Sequence, residues 1–150
     1  MSRTFLSAVD SNMAEFKELN QQAEDVRNTR LTPLETTTEI KVTLENSGRT
    51  KLANFEEWDF FMDYTDNPGN HYAKWLAYTE DTPGDDQWTV EGIYLDAGTG
   101  TPEVLEPGVL NPGEKVVLEA KTKPEPDKNY THRIVIVTPN GVTTTTYILP

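Results

Sequence analysis

Short runs of alternating apolar and polar residues fill most of the chain after residue 29. In "TEIKVTLEN", Ile40, Val42 and Leu44 point to one face of a strand, and "EKVVLEAKT" alternates in the same way. "WDFFMDY" points Trp58, Phe60, Met62 and Tyr64 to one face and Asp59 and Asp63 to the other. "THRIVIVT" and "NGVTTTTYIL" are predicted to form a hairpin closed by Asn140-Gly141. Five turn signals separate such runs: Asn46-Ser47-Gly48, Asn67-Pro68-Gly69-Asn70, Thr82-Pro83-Gly84, Asn111-Pro112-Gly113 and Pro139-Asn140-Gly141. The pattern predicts a mainly β fold, an Ig-like antiparallel β-sandwich of about seven strands.

At the start of the chain, the apolar residues recur with a different spacing. Its apolar stripe recurs at heptad spacing, and its members are Leu6, Val9, Met13, Phe16, Asn20 and Ala23. We therefore predict one N-terminal α-helix in residues 1–28 and a sandwich domain in residues 29–150. Two destinations for the stripe remain open, the side of the sandwich or a seam with another helix, and the narrowness of the stripe suits a helix seam.

Aromatic residues are concentrated in the middle of the chain, where ten of the 14 lie between Phe55 and Tyr94. The segment "HYAKWLAY" is apolar on both faces of a strand, with Tyr72 and Tyr78 on one face and Trp75 on the other. Sandwich strands usually have one dry and one wet face. The segment is therefore either a buried central strand with a core aromatic cluster, or a partner-binding surface carrying Trp75 with Tyr72 or Tyr78 at its border.

The charge balance limits the partners. Thirteen basic and 25 acidic residues give a net charge of −12, which disfavours nucleic acid and anionic membranes. Without cysteine, disulfides and thiolate metal sites are excluded. No apolar run approaches the roughly 20 residues of a membrane-spanning helix.

Candidate chemistry is sparse. Two loops are rich in oxygen donors that suit Ca²⁺, namely Asp63, Asp66, Asn67 and Asn70 in one and Glu80, Asp81, Asp85 and Asp86 in the other, but neither matches an EF-hand loop. The two histidines, His71 and His132, lie in no metalloprotease pattern, and no nucleophile elbow or phosphate-binding loop is present. We predict no enzyme activity, no metal, no cofactor and no small-molecule substrate.

Three motifs, in this order and spacing, resemble those of a known family. They are Asn46-x-Gly48-x-Thr50-x-Leu52, Phe55-x-x-Trp58-Asp59 and Leu110-Asn111-Pro112-Gly113-Glu114. With the surrounding sequence they resemble the extracellular sandwich domains of the archaellum accessory proteins, especially the F type and more loosely the G type. At the first motif we expect a turn in which Gly48 adopts a positive φ.

The resemblance implies a non-enzymatic anchor module, outside the membrane, that binds the surface layer or cell envelope as a stator part of an archaellum-type motor. Residues 1–28 would be the stalk that continues a pilin-like membrane anchor encoded upstream. Other archaellum accessory proteins and a second copy of the chain are the further partners implied. Alternatives are a structural subunit of an archaellum or pilus-like filament and a carbohydrate-binding accessory module, the latter favoured by the surplus of aromatic residues.

Overall fold

The computed structural model describes residues 26–96, 101–102 and 108–150. Most of the predicted helix, including the whole apolar stripe, lies outside these residues, and residues 26–28 are helical. A short 3-10 helix spans Phe55–Glu57. The strands are β1 Leu31–Thr36, β2 Lys41–Asn46, β3 Asp59–Thr65, β4 His71–Tyr78, β5 Gln87–Asp96, β6 Thr101–Pro102, β7 Lys115–Lys121, β8 His132–Val137 and β9 Thr143–Ile148.

The strands form two facing sheets joined along one side. We call β4-β3-β8-β9 the front sheet and β1-β2-β7-β5, with β6 beside β5, the back sheet. All ladders within them are antiparallel, and a short parallel ladder between β4 and β5 joins the sheets. On the other side, the hydroxyls of Thr36 in β1 and Thr146 in β9 lie 2.7 Å apart. The predicted mainly β sandwich is confirmed, with nine strands in the described residues rather than seven.

The core follows the alternation read from the sequence. Phe60, Met62 and Tyr64 of β3 are buried, as are Val42 and Leu44 of β2. Val116, Leu118 and Ala120 of β7, Ile134 and Ile136 of β8, and Leu76 and Trp88 complete the same cluster. The rings of Phe60 and Trp88 stack across the two sheets with centroids 5.7 Å apart. Burial of these large side chains is the main favourable term in the stability of the sandwich.

Two of the three motifs behind the family resemblance meet in space. The side chain of Asn46 is fully buried, and its Nδ2 donates to the carbonyls of Thr50 at 2.8 Å and Leu110 at 2.9 Å. The Gly113 N–H donates to the carbonyl of Asn46 at 2.8 Å. One buried amide therefore connects the turn after β2 to the turn before β7, and it leaves neither of its N–H groups without a partner.

The third motif is a local aromatic corner. The Phe55 and Trp58 rings pack with centroids 4.7 Å apart, and Trp58 Nε1 donates to the carbonyl of Ala53 at 3.0 Å. This corner closes one end of the sandwich just before β3. All three motifs thus specify the fold of the chain.

Gly48 is required for a different reason from the one expected. Its φ lies outside the left-handed region, so the prediction of a positive φ is wrong. A Cβ at this position would lie 2.1 Å from the carbonyl oxygen of Asn28 and 2.6 Å from the Arg30 nitrogen. The glycine is needed because another stretch of backbone passes against it.

The segment in contact with Gly48 fastens the start of the described chain to both sheets. The carbonyl of Asn28 accepts from the N–H groups of Arg49 at 2.7 Å and Thr50 at 3.2 Å. Thr29 is buried, and its hydroxyl accepts from Asn140 Nδ2 at 2.9 Å, in the turn between β8 and β9. The residues that precede β1 are therefore an integral part of the sandwich.

Candidate functional site

The outer face of the front sheet carries an aromatic row. In the antiparallel ladders, Phe61 of β3 pairs with Trp75 of β4 on one side and with Val135 of β8 on the other. Trp75 is 55% exposed and Phe61 is 41% exposed. We call Phe61, Trp75 and Val135 the front patch. Alternation along each strand points these side chains outward, because their neighbours in the chain fill the core.

Trp75 is held in place on this surface. Its indole Nε1 donates to Asp59 Oδ1 at 3.0 Å, on the neighbouring strand. The ring therefore keeps a large apolar surface in contact with water in a defined orientation. An amphipathic ring with little rotamer freedom is a common centre of protein–protein contacts.

A small charged group borders the front patch. Asp63 accepts from Arg133 Nη2 at 3.3 Å, and its other oxygen lies 2.6 Å from His71 Nε2. Tyr147 of β9, which is 51% exposed, pairs in register with Arg133. An apolar centre with a polar rim is the usual anatomy of an interface.

The front patch is slightly concave. A shallow depression of about 390 Å³ is lined by Phe61, Asp63, Ala73, Trp75, Arg133 and Val135, among others. Its floor is the sheet itself, so a docking partner would meet a broad, shallow surface. The shape suits a protein or polymer surface better than an enclosed small molecule.

Tyr72 and Tyr78 lie on the other face of β4 from Trp75 and pack against the core. The Tyr72 ring stacks on Tyr64 with centroids 5.2 Å apart, and its hydroxyl donates to Asp66 Oδ2 at 3.3 Å. Burial raises the pKa of Tyr72, and the negative charge of Asp66 raises it further. The structure therefore brings Trp75 together with Phe61 and Val135, and it does not bring it together with the two tyrosines.

Tyr78 packs at the junction of the two sheets. Its ring meets Trp88 edge-on with centroids 5.0 Å apart. Burial raises the pKa of the Tyr78 hydroxyl, and the charges of Glu80 and Glu56 act in the same direction. Its polar group is near the surface while its ring contributes to the core.

Phe61, Val135, Arg133 and Tyr147 are surface residues that sequence reasoning missed. A signal was present for two of them. Phe61 falls on the polar face of "WDFFMDY", beside Asp59 and Asp63, and "RIVIV" is apolar at every position after its arginine. An apolar residue on the wet face of a strand is the informative exception to alternation.

One carboxylate in each acidic loop, Asp66 in the first and Asp86 in the second, is bonded within the protein. Asp66 accepts from the backbone N–H of Asn70 at 2.7 Å and of Gly69 at 3.3 Å. Asp86 pairs with Lys74 and accepts from the N–H of Lys123 at 3.2 Å. In the part of the chain that the structure describes, no group of three or more acidic, histidine or cysteine side chains could hold a metal ion.

The predicted helix seam, Leu6, Val9, Met13, Phe16, Asn20 and Ala23, lies outside the described residues, and its role stays a prediction. Within the described ranges, no helix has the length and hydropathy needed to cross a bilayer.

Comparison with solved structures reveals a likeness of the whole sandwich. The chain is similar to the archaellum periplasmic stator protein FlaG from Sulfolobus acidocaldarius, at 20% sequence identity and a TM-score of 0.50, covering 80% of this chain and 99% of that chain. The chain has the fold of an archaellum stator protein. The resemblance read from the sequence is thus confirmed at the level of fold.

A second similar structure is the archaellum periplasmic stator protein complex of FlaF and FlaG from the same organism. It matches at 19% identity and a TM-score of 0.49, over 78% of this chain and 84% of that one. A scan against models of protein families finds no match, and a search of curated protein sequences finds none either.

Proposed function

We propose that this protein is a non-enzymatic, extracytoplasmic accessory module of an archaellum-type motor, where it acts as a stator part. Two independent lines support the proposal. The ordered motifs resemble those of archaellum accessory proteins, and the fold is like that of a protein described as an archaellum periplasmic stator protein. A motor that delivers torque needs a rigid body held at fixed points, and a sandwich joined to the predicted helical stalk suits that task.

The observation that carries the proposal is the front patch. A chain of net charge −12 keeps a half-exposed tryptophan and a half-exposed phenylalanine side by side on one sheet face. Leaving such area in water costs roughly 25 cal/mol per Å², so an exposed aromatic row favours a surface that a partner covers. The partner we propose is a protein of the surface layer or cell envelope.

Three further assignments belong to the same proposal. Other archaellum accessory proteins and a second copy of the chain are additional partners, as the sequence resemblance implies. The apolar stripe in residues 1–28 packs against another helix at the membrane side. The full-length protein is held in the cell envelope by an anchor that precedes this stalk.

Binding to isolated cell envelopes of an archaellated host tests the proposal. The labelled chain is compared with Trp75→Ser and with Leu34→Ser, a matched control, because Leu34 is 50% exposed on the back sheet. We expect Trp75→Ser to weaken binding at least tenfold, and Leu34→Ser to change it by less than threefold, since a central aromatic residue can carry about 2 kcal/mol of an interface. Equal binding of all three proteins would contradict the proposal.

Competition separates the alternatives. Free oligosaccharide displaces a carbohydrate-binding module from the envelope fraction and leaves a protein-binding stator module in place. Growth of long fibres by the purified full-length protein would instead assign it to the filament.

A further inference from the structure

The chain contains one Asn-x-Ser/Thr triplet of the kind that accepts an N-linked sugar, namely Asn129-Tyr130-Thr131. Its middle residue is not proline, which such acceptors exclude. The triplet lies in the connection between β7, which ends at Lys121, and β8, which begins at His132. Triplets of this kind arise by chance in many chains, so the structural setting decides whether this one can be modified.

The triplet lies in an exposed turn that is well fixed. All three of its residues are exposed. Asp127 holds the turn, because its Oδ1 accepts from the Asn129 N–H at 2.8 Å and its carbonyl accepts from the Tyr130 N–H at 3.2 Å. The N–H of Asp127 donates to the carbonyl of Thr65 at 2.9 Å, which attaches the turn to the end of β3. The turn therefore forms without any contribution from the Asn129 side chain.

The groups of the triplet that a glycosylating enzyme needs are free. Among the described residues, neither the side-chain amide of Asn129 nor the hydroxyl of Thr131 has a hydrogen-bond partner. Other asparagines use the same group for the fold. Asn46 Nδ2 donates to two carbonyls in the interior, and Asn140 Nδ2 donates to Thr29 at 2.9 Å. Modification of Asn129 would break no such contact.

The triplet and the start of the described chain are at opposite ends of the front sheet. Strand β8 begins at His132, just after the triplet, and its six residues span about 17 Å. The turn that follows the other end of β8 contains Asn140, which binds Thr29. With the stalk of the proposed function entering at Thr29, Asn129 lies at the end of the sandwich that is distant from the membrane.

We propose that Asn129 carries an N-linked oligosaccharide. In the transfer, Asn129 Nδ2 forms a bond to the anomeric carbon of the first sugar, and the bond from that carbon to the phosphate of a lipid-linked oligosaccharide donor breaks. The phosphate leaves with the bonding electron pair, and the amide loses one proton. A membrane-bound oligosaccharyltransferase catalyses the step and recognises the Thr131 hydroxyl. The inference rests on the extracytoplasmic location in the proposed function.

An oligosaccharide at Asn129 limits how a partner docks. Such a chain is bulky and hydrated and stays in solvent, so it keeps a broad partner away from this end of the sandwich. The front patch is on the side of the sandwich, where Val135 lies within β8. The sugar thus directs an envelope partner to the sheet face. It is carried by the chain and is not its ligand, which separates this modification from a carbohydrate-binding function.

Mass spectrometry tests the inference on the full-length chain, produced in an archaellated host whose surface proteins carry N-linked sugars. We expect the tryptic peptides that contain residue 129 to be heavier by a series of sugar residues. Asn129→Gln and Thr131→Ala should lower the modified fraction about tenfold or more, because each removes one essential group of the triplet. Thr131→Ser, which keeps a hydroxyl, and Asn67→Gln should leave it within about threefold. Asn67 is a matched control, since it is exposed but belongs to no triplet.

Three results would overturn the inference: an unmodified residue 129 in the wild-type chain, a mass increment that persists in Asn129→Gln, or one that persists in a host strain without the oligosaccharyltransferase. Protease digestion of cells stripped of their surface layer separates this failure from that of the proposed function. A wild-type chain that is unmodified and still cleaved from outside overturns the glycosylation alone. An unmodified chain that is protected inside the cell overturns both.

Discussion

The two outer faces of the sandwich both come from strands that alternate between core and surface residues, but the side chains that they expose differ. On the back sheet, outward lysines pair with acids: Lys41 with Glu91 at 3.6 Å, and Lys115 with Glu45 at 3.7 Å. On the front sheet the outward positions hold the front patch and a row of threonines on β9. Strands β4, β8 and β9 contain no acidic residue, whereas each long strand of the back sheet has at least one.

The difference between the two faces lies in where the acidic residues are placed and in what they bind. A solvated face needs only charged side chains, and exposed ion pairs add little to its stability. The front sheet has two acids, both on β3, and each has a task at the surface. Asp59 holds the Trp75 indole, and Asp63 binds Arg133 and His71. Negative charge is thus excluded from the front sheet except at Asp59 and Asp63, which fix other side chains of that face.

The largest difference in stability is expected between alanine variants of two neighbouring residues of β3. Phe60 is fully buried and Phe61 is 41% exposed. Phe60→Ala should lower the free energy of unfolding by about 3–5 kcal/mol, because it leaves a cavity beside Trp88. Phe61→Ala should lower it by less than about 1 kcal/mol. Chemical denaturation of both variants measures the difference, and similar losses would show that the front patch is part of the core.

Lys74 is the lysine of the front sheet that points inward, and it contrasts with the outward lysines of the back sheet. Burial opposes its charge most strongly of any single cause, but the interactions with Asp86 and Tyr64 together outweigh burial and raise the pKa of Lys74 above its ordinary value. Lys74→Met should cost about 1–2 kcal/mol at pH 8, where the ammonium group is charged in both the folded and the unfolded chain.

The pH dependence of this loss has a defined sign. Because the folded chain holds the Lys74 proton more tightly than the unfolded chain, its contribution is complete below the ordinary pKa of about 10.4 and disappears as the pH rises through the higher folded value. Unfolding of wild type and Lys74→Met should therefore converge at strongly alkaline pH. A constant difference between pH 8 and pH 11.5 would show that packing of the side chain, and not its charge, is lost.

A charge placed on each face in turn tests their contrast directly. Thr145→Glu adds an acid beside Val135 on the front sheet, and Thr43→Glu adds one between Lys41 and Glu45 on the back sheet. We expect the first to weaken envelope binding about tenfold, about 1.4 kcal/mol, through like-charge and desolvation costs, and the second to leave it unchanged. Equal losses for the two variants would mean that net charge alone decides binding.

The smallest change in stability is expected for the loss of an exposed ion pair on the back sheet. Lys41→Met breaks the ion pair with Glu91. The side chain of Lys41 is 38% exposed and that of Glu91 is 37% exposed. The cost of Lys41→Met should be within about 0.5 kcal/mol, and moderate salt should remove it. Thermal melts at low and at moderate ionic strength measure this, and a loss above about 1 kcal/mol would show that the back face is more than a solvated surface.

Alternation alone predicted the core faces of β2, β3 and β7, because each of these strands buries every second residue. It could not predict the core face of β8, since every residue of that strand after Arg133 is apolar. It did not predict the front patch, since Phe61, Trp75 and Val135 are neighbours only through the register of three strands distant in sequence. Strand β4 is apolar on both faces, which allowed two interpretations, a buried core strand or a partner-binding surface. In the structure each interpretation holds for one face, because Tyr72 packs against the core and Trp75 lies on the outer face.

Gly48 illustrates a second limit of sequence reasoning. The sequence pattern singles out this residue, but the positive φ expected there is not the reason that glycine is required. The reason lies in the backbone of Asn28 and Arg30, which no local pattern reveals. The motifs around it made the fold recognisable because they fasten turns together, and for the same reason they say little about which surface meets a partner.

The attachment of Asn28 and Thr29 to the sandwich has a mechanical consequence. Tension arriving along the chain ahead of residue 26 meets the two amides that bind the Asn28 carbonyl, and the side-chain bond from Thr29 to Asn140, before it reaches β1. The first two anchor points belong to the turn after β2, a strand of the back sheet, and the third belongs to the turn between β8 and β9 of the front sheet. A pull is therefore transmitted to both layers of the sandwich before it reaches β1.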